Sequence, residues 1–124
     1  MMPYERFEAW RLCHQLVLQV YRVTRSFPSE ERYGLTSQAR RAAFSSAANI
    51  AEGAGKRGTR EFRRFLDISL GSLSELSYIL RLAKELGVLP PAEWASVDEL
   101  RNRAGQVTWR LAQSLSVAKQ REQD

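Results

Sequence analysis

Between its few breaks, this sequence repeats apolar residues at spacings of three and four. No stretch keeps the alternation of a half-buried strand, so the periodicity predicts helices throughout. The breaks are informative. Pro3 precedes the first periodic stretch, and Pro28 follows it in Ser26-Phe27-Pro28-Ser29. Gly53, Gly55 and Gly58 cluster after the second stretch, and Gly87, Pro90 and Pro91 separate the last two. Glycine and proline punctuate a helical pattern because one relaxes the backbone and the other removes a donor.

Four helices follow. The first is expected over Tyr4 to Arg25, with one stripe of Ala9, Cys13, Leu16, Val20 and Val23 and another of Phe7, Trp10, Val17 and Tyr21. The second covers Thr36 to Ala54, with Thr36 as N-cap and the small face Ala39, Ala43, Ala47, Ile50 and Ala54. The third covers Arg60 to Leu86, capped by Thr59. Its seam is Phe62, Leu66, Ser69, Leu73, Leu76, Leu80 and Ala83, and Phe65, Ile68, Ser72, Ile79, Leu82 and Leu86 make a second stripe. The fourth covers Pro91 to Lys119 with the seam Val97, Leu100, Ala104, Val107, Leu111, Leu115 and Ala118, and the polar tail Gln120 to Asp124 is expected to fray. Helices of about 20–28 residues are roughly 30–42 Å long. Short breaks between them force antiparallel neighbours, so residues 1–124 are read as one all-α domain, an antiparallel up-down-up-down four-helix bundle. The double stripes, with Trp94 and Trp109 off the main seam, exceed what a monomer's surface helices need and point to a homo-oligomer, the alternative being a wide bundle core.

Composition excludes several classes of function. With 124 residues, 44% hydrophobic and 27% charged, the chain resembles an ordinary globular domain. The single Cys13 permits no internal disulfide, and with the single His14 it supplies no zinc ligand set, so neither a metal nor a cofactor is expected. No apolar run approaches the roughly 18–20 residues of a membrane span, no signal-peptide pattern is present, and the cytoplasm is the expected compartment. His14 has no visible nucleophile beside it and reads as a packed residue, and Cys13 reads as a small buried hydrophobe. No catalytic residue is assigned and no enzyme is expected. Gly53, Gly55 and Gly58 do not form a phosphate loop, since Gly55-Lys56-Arg57 lacks the hydroxyl residue and follows a helix.

The charge is uneven. The formal net charge is +5, and most of the excess lies between Thr36 and Ser74, where seven basic residues face three acidic ones. Arg40, Arg41, Lys56, Arg57, Arg60, Arg63 and Arg64 are therefore the candidate nucleic-acid contacts, of the kind that grip phosphates without reading sequence. The competing reading is a solvated face with pairs such as Glu61 and Arg64. A second cluster is polar. Asn49, Glu52 and Ser72 are expected to bond between helices two and three as an interhelical lock, the alternative being a small functional polar site, and Gly71, costly inside a helix, is expected to mark a close helix approach.

The run Arg40-Arg41-Ala42-Ala43-Phe44-Ser45-Ser46-Ala47-Ala48-Asn49-Ile50-Ala51-Glu52-Gly53 resembles the signature of a bacterial four-helix-bundle family. That family consists of the 23S ribosomal RNA intervening-sequence proteins, also labelled S23 ribosomal proteins. Phe7-Glu8-Ala9-Trp10, Tyr33-Gly34-Leu35-Thr36-Ser37-Gln38 and Gly71-Ser72-Leu73-Ser74-Glu75-Leu76 match in order and spacing. The sequence departs at Ser46-Ala47-Ala48, where a larger aliphatic residue is usual before the Asn, and at the bulky Phe44. The resemblance implies an antiparallel bundle assembled as a homopentamer, in a family whose members generally have no assigned enzymatic activity. A related accessory protein of diversity-generating retroelements, similar in fold, implies a basic ring that binds RNA or DNA and a protein partner. A ring would repeat each basic patch and strengthen it through multivalency. The alternative is a ring-shaped protein-interaction scaffold with no direct nucleic-acid role.

Overall fold

The computed structural model describes residues 1–123, and the side chains of residues 1–116. Its elements are a 3-10 turn at Pro3–Arg6, α1 at Glu8–Thr24, a second 3-10 turn at Ser29–Glu31, α2 at Leu35–Ala54, α3 at Thr59–Glu85 and α4 at Pro91–Gln123. No strand occurs among the described residues. Each helix packs along two others, in the cyclic order α1, α2, α3, α4. Cross-helix pairs run in opposite senses along α2 and α3: Arg41 meets Glu75, Ser45 meets Ser72, and Gly53 meets Phe65. The fold is the expected antiparallel four-helix bundle.

The core follows the periodic stripes. Leu16 and Val20 of α1, Ile50 of α2, Leu66, Leu73, Leu76 and Leu80 of α3, and Val97 of α4 are all fully buried. Ala39, Ala42, Ala43 and Ala47 give α2 a shallow face, which lets α3 come close. Part of the apparent surplus is absorbed here. Phe7, Trp10, Val17 and Trp94 pack against the core, and the Lys84 ammonium sits 3.5 Å above the Trp94 ring. Leu18, Tyr21, Phe44, Ile68, Tyr78 and Trp109 remain exposed.

Several helix boundaries differ from expectation. Tyr4 to Phe7 are not part of α1. Phe7 adopts an extended backbone, and its ring packs edge-on against Phe62 at 5.1 Å, which takes it out of helical geometry. Thr36 does not cap α2. The helix starts one residue earlier, and the Glu31 carboxylate accepts the Leu35 N–H at 3.0 Å in its place. Thr59 is the first residue of α3 rather than its cap, because Gly58 makes the turn at φ +83°. At the other end of α3, Gly87 at φ +76° closes a Schellman motif. Val88 N–H donates to Ala83 C=O at 2.9 Å, and Gly87 N–H to Lys84 C=O at 3.0 Å. α4 continues past Lys119 to Gln123, while the expected seam position Ala118 and the side chains of the tail lie outside those described.

Candidate nucleic-acid interface

The turn between α2 and α3 gathers most of the predicted basic residues. Lys56 and Arg57 are exposed in the turn, and Arg60, Arg63 and Arg64 are exposed on the first turns of α3. Glycine at 58 permits the left-handed backbone that reverses the chain and brings the two groups together. Arg60, Arg63 and Arg64 border a shallow depression of 520 Å³ that also holds Glu61 and Asp67.

The cations there differ in how they are held. Arg64 donates from Nε and Nη2 to the Glu61 carboxylate, at 3.3 Å each, and lies over the Phe65 ring at 4.5 Å. Lys56 approaches the same ring at 5.8 Å. Phe65 is buried, so its ring orders these cations and offers no stacking platform for a base. Arg57, Arg60 and Arg63 have no ion pair among the described residues. Glu61 senses the local field. Its hydrogen bond from Arg64, and then the charges of Arg64, Lys56 and Arg60, hold its carboxyl below the usual range.

Arg40 and Arg41 do not join this group. They sit near the start of α2, sixteen and fifteen residues before Lys56, or roughly 23–24 Å along a helix. Arg41 is tied to Glu75 at 2.6 Å and to Gln38 at 2.8 Å. Arg40 Nε donates to Thr24 Oγ1 at 2.9 Å, and its guanidinium covers the Tyr21 ring at 4.5 Å. The single basic face expected over helices two and three is therefore two separate groups.

The polar cluster exists with a different membership. Ser45 Oγ and Ser72 Oγ share a hydrogen bond of 2.8 Å between α2 and α3. Asn49 Nδ2 donates to Ser45 C=O at 2.8 Å and to Ser45 Oγ at 3.0 Å. Glu52 is exposed and makes no hydrogen bond to this cluster among the described residues, although it shares a helix face with Asn49 three residues before it. Gly71 is not a close approach: a Cβ there would meet nothing within 4 Å. The close approach is at Gly53.

A second polar feature escaped sequence reasoning. Cys13 of α1, Ser46 of α2, Ser69 of α3 and Thr108 of α4 are all fully buried, one from each helix. Ser69 Oγ donates to Ser46 C=O and Ser46 Oγ to Ala43 C=O, both at 2.7 Å, while Thr108 Oγ1 has no partner among the described residues. Burial pushes the Cys13 thiol up. Ser69 is visible in the periodic seam of α3, but a lone small residue there gives no sign of partners on other helices. His14 is exposed and stacks on Trp10 at 5.0 Å, so it is packed on one side only. Among the described residues no group of three potential metal ligands occurs, and no helix is long and apolar enough to cross a membrane.

The family model for 23S rRNA-intervening sequence proteins matches residues 5–112. Among solved structures, the chain is similar to a protein of unknown function from the S23 ribosomal protein family of Bacteroides thetaiotaomicron VPI-5482. The TM-score is 0.79 at 16% identity, over 85% of this chain and 95% of that one. At that identity the likeness bears on the fold. No curated protein matches the chain.

Proposed function

The chain belongs to the family of 23S rRNA-intervening sequence proteins, and on that premise we propose that it binds RNA or DNA, without sequence preference and without catalysis. The observation that carries this reading is the trio Arg57, Arg60 and Arg63, exposed at one end of the bundle with no ion pair among the described residues. Lys56 and Arg64 flank them and raise the local positive potential. The amides opening α3 lie at the same turn and add to it. Such a surface grips phosphodiesters and releases counterions, so its affinity falls steeply with salt. Phe65, the ring beneath Lys56 and Arg64, is buried and gives no platform for stacking a base.

A gel-shift titration at about 50 mM and about 200 mM salt tests it. Binding at low salt that weakens at least tenfold at the higher salt is the expected result. The triple variant Arg57→Glu, Arg60→Glu, Arg63→Glu removes exposed, unpaired cations and should abolish the shift with helicity unchanged. A shift indifferent to salt, or retained by the folded triple variant, sinks the proposal.

We also propose that copies of the chain assemble, in the five-membered ring that the family resemblance implies. The exposed Leu18, Tyr21, Phe44 and Ile68 support this reading. They also support the second reading, a scaffold whose ring docks another protein. Protein partners captured equally after nuclease treatment and by the triple variant would favour that one.

A further inference from the structure

The link between α1 and α2 folds against the first turn of α2 and leaves a cleft of 440 Å³. Three arginines line it, Arg25, Arg32 and Arg40, and no carboxylate is among the lining residues. The depression on α3 is different, because there Glu61 and Asp67 accompany the arginines. Ser29, Thr36 and Ser37 add hydroxyls around the cleft, and Phe27 and Pro28 give it an apolar side.

Arg40 is built in. Its Nε donates to Thr24 Oγ1 at 2.9 Å, and Thr24 Oγ1 in turn donates to Val20 C=O at 2.7 Å. Thr24 is only 2% exposed. The Tyr21 ring covers the guanidinium at 4.5 Å. The plane is thus fixed by a buried hydroxyl and an aromatic face, while the two terminal nitrogens have no acceptor among the described residues. A fixed guanidinium fork matches phosphate oxygens with little entropy left to lose. Arg25 and Arg32 are exposed, with no ion pair among the described residues.

Glu30 and Glu31 stand on the same link, but neither lines the cleft, and the Glu31 carboxylate is engaged by the Leu35 amide at 3.0 Å. The first backbone bond of α2 runs from Gln38 N–H to Gly34 C=O at 2.9 Å. Thr36 and Ser37 therefore carry amides that the first turn leaves over, and both residues line the cleft.

We propose that this cleft binds a terminal phosphate monoester, with Arg40 as the fixed anchor and Arg25 and Arg32 closing on it. A terminal phosphate brings nearly two negative charges to one point, whereas a backbone phosphodiester brings one. Convergent arginines suit the former. The volume lies within the range of about 300–1,000 Å³ common for small-molecule sites. It exceeds what a phosphate group fills, and the side made by Phe27 and Pro28 accommodates an organic body. That body belongs either to a free phosphorylated metabolite or to the 5′ end of an oligonucleotide. The site is at the far end of α2 from Arg57, Arg60 and Arg63 and stands or falls separately from the phosphodiester interface.

Isothermal titration of the full chain tests it with inorganic phosphate, a nucleoside 5′-monophosphate, the nucleoside itself, and a short single strand with and without a 5′-phosphate. Binding is expected for inorganic phosphate and the monophosphate and not for the nucleoside. A strand that gains affinity from its 5′-phosphate, and then binds tighter than the monophosphate, identifies a nucleic-acid end as the source; a strand that gains nothing from its 5′-phosphate while the monophosphate binds identifies a metabolite. Both support the site. The double variant Arg25→Ala, Arg32→Ala changes only exposed side chains and should weaken phosphate binding at least tenfold with helicity unchanged. Arg40→Lys, which keeps the charge and loses the fork, should weaken it too. The triple glutamate variant at the opposite end should leave it unchanged. Absent binding of inorganic phosphate at millimolar concentration overturns the proposal. So does equal binding of the nucleoside, or binding retained by the folded double variant.

Discussion

Cys13, Ser46, Ser69 and Thr108 place a small polar layer where a bundle of this kind could hold only aliphatic residues. Two of the four hydroxyl or thiol groups are satisfied by main-chain carbonyls, so the layer also ties α3 to α2 through Ser69 and Ser46. Cys13 is the member that titrates. The unfolded chain loses the thiol proton as pH passes the ordinary value of 9.0, while the folded chain, with its thiol pushed up by burial, retains it. Above that pH the unfolded state binds fewer protons, so the contribution of Cys13 to stability declines as pH rises, and below it the contribution is complete. Urea unfolding of the wild type and of Cys13→Ala, compared at about pH 8 and about pH 10, should show the wild type's advantage shrinking at the higher pH. A difference that stays constant would mean the thiol titrates alike in both states. The buried thiol is also poorly reactive, since the thiolate is the nucleophile. An aromatic disulfide reagent should modify it only on unfolding.

α3 approaches α2 closely at Gly53, where a Cβ would sit 2.6 Å from the Phe65 Cβ and 3.0 Å from the Phe62 ring. Neither neighbour is the far end of a flexible chain, so Gly53→Ala must spread the helices, at a cost of about 1–3 kcal/mol. Gly71, also helical, faces open space, and Gly71→Ala should stabilise by about 0.4–1 kcal/mol through the unfolded state. Thermal melts of the two single variants should move in opposite directions. If both fall, Gly71 too is packed against something. This pair also marks what the sequence could tell. The periodic stripes located all four helices and most of the core, because burial of one face is a property of the element itself. Gly53 and Gly71 look alike in sequence, since the difference between them belongs to a neighbouring helix. Helix starts were misplaced for the same reason. Thr36 is a sound local cap, yet Glu31 caps α2 through a turn that no periodicity encodes. The basic residues were legible as a composition bias. Their division into two groups was not, because it depends on the length of α2 and on partners such as Thr24 and Glu75.

At the scale of the whole molecule, the basic end and the exposed apolar strip occupy different places. Lys56 to Arg64 crown one end of the bundle. The apolar strip lies along its side. Arg40 covers Tyr21, and one turn further along both helices come Phe44 and Leu18, which are 61% and 52% exposed. Ile68 of α3 is exposed as well. A strip of this kind along α1 and α2 gains by being covered, and covering it leaves the basic end open. Assembly through the side and binding through the end are thus compatible, and copies related by rotation would present their basic ends on one rim. Light scattering on the purified chain should give a discrete oligomer, and Phe44→Glu should shift it toward the monomer. Because Phe44 is outside the core, the variant's far-ultraviolet dichroism should match the wild type. Nucleic-acid affinity should fall with the oligomer even though no basic residue has changed, since each monomer keeps a single weak patch. A monomeric wild type would remove the ring. An oligomer that survives Phe44→Glu would place the contact on another face, and affinity unchanged in a dissociated variant would leave each basic end acting alone.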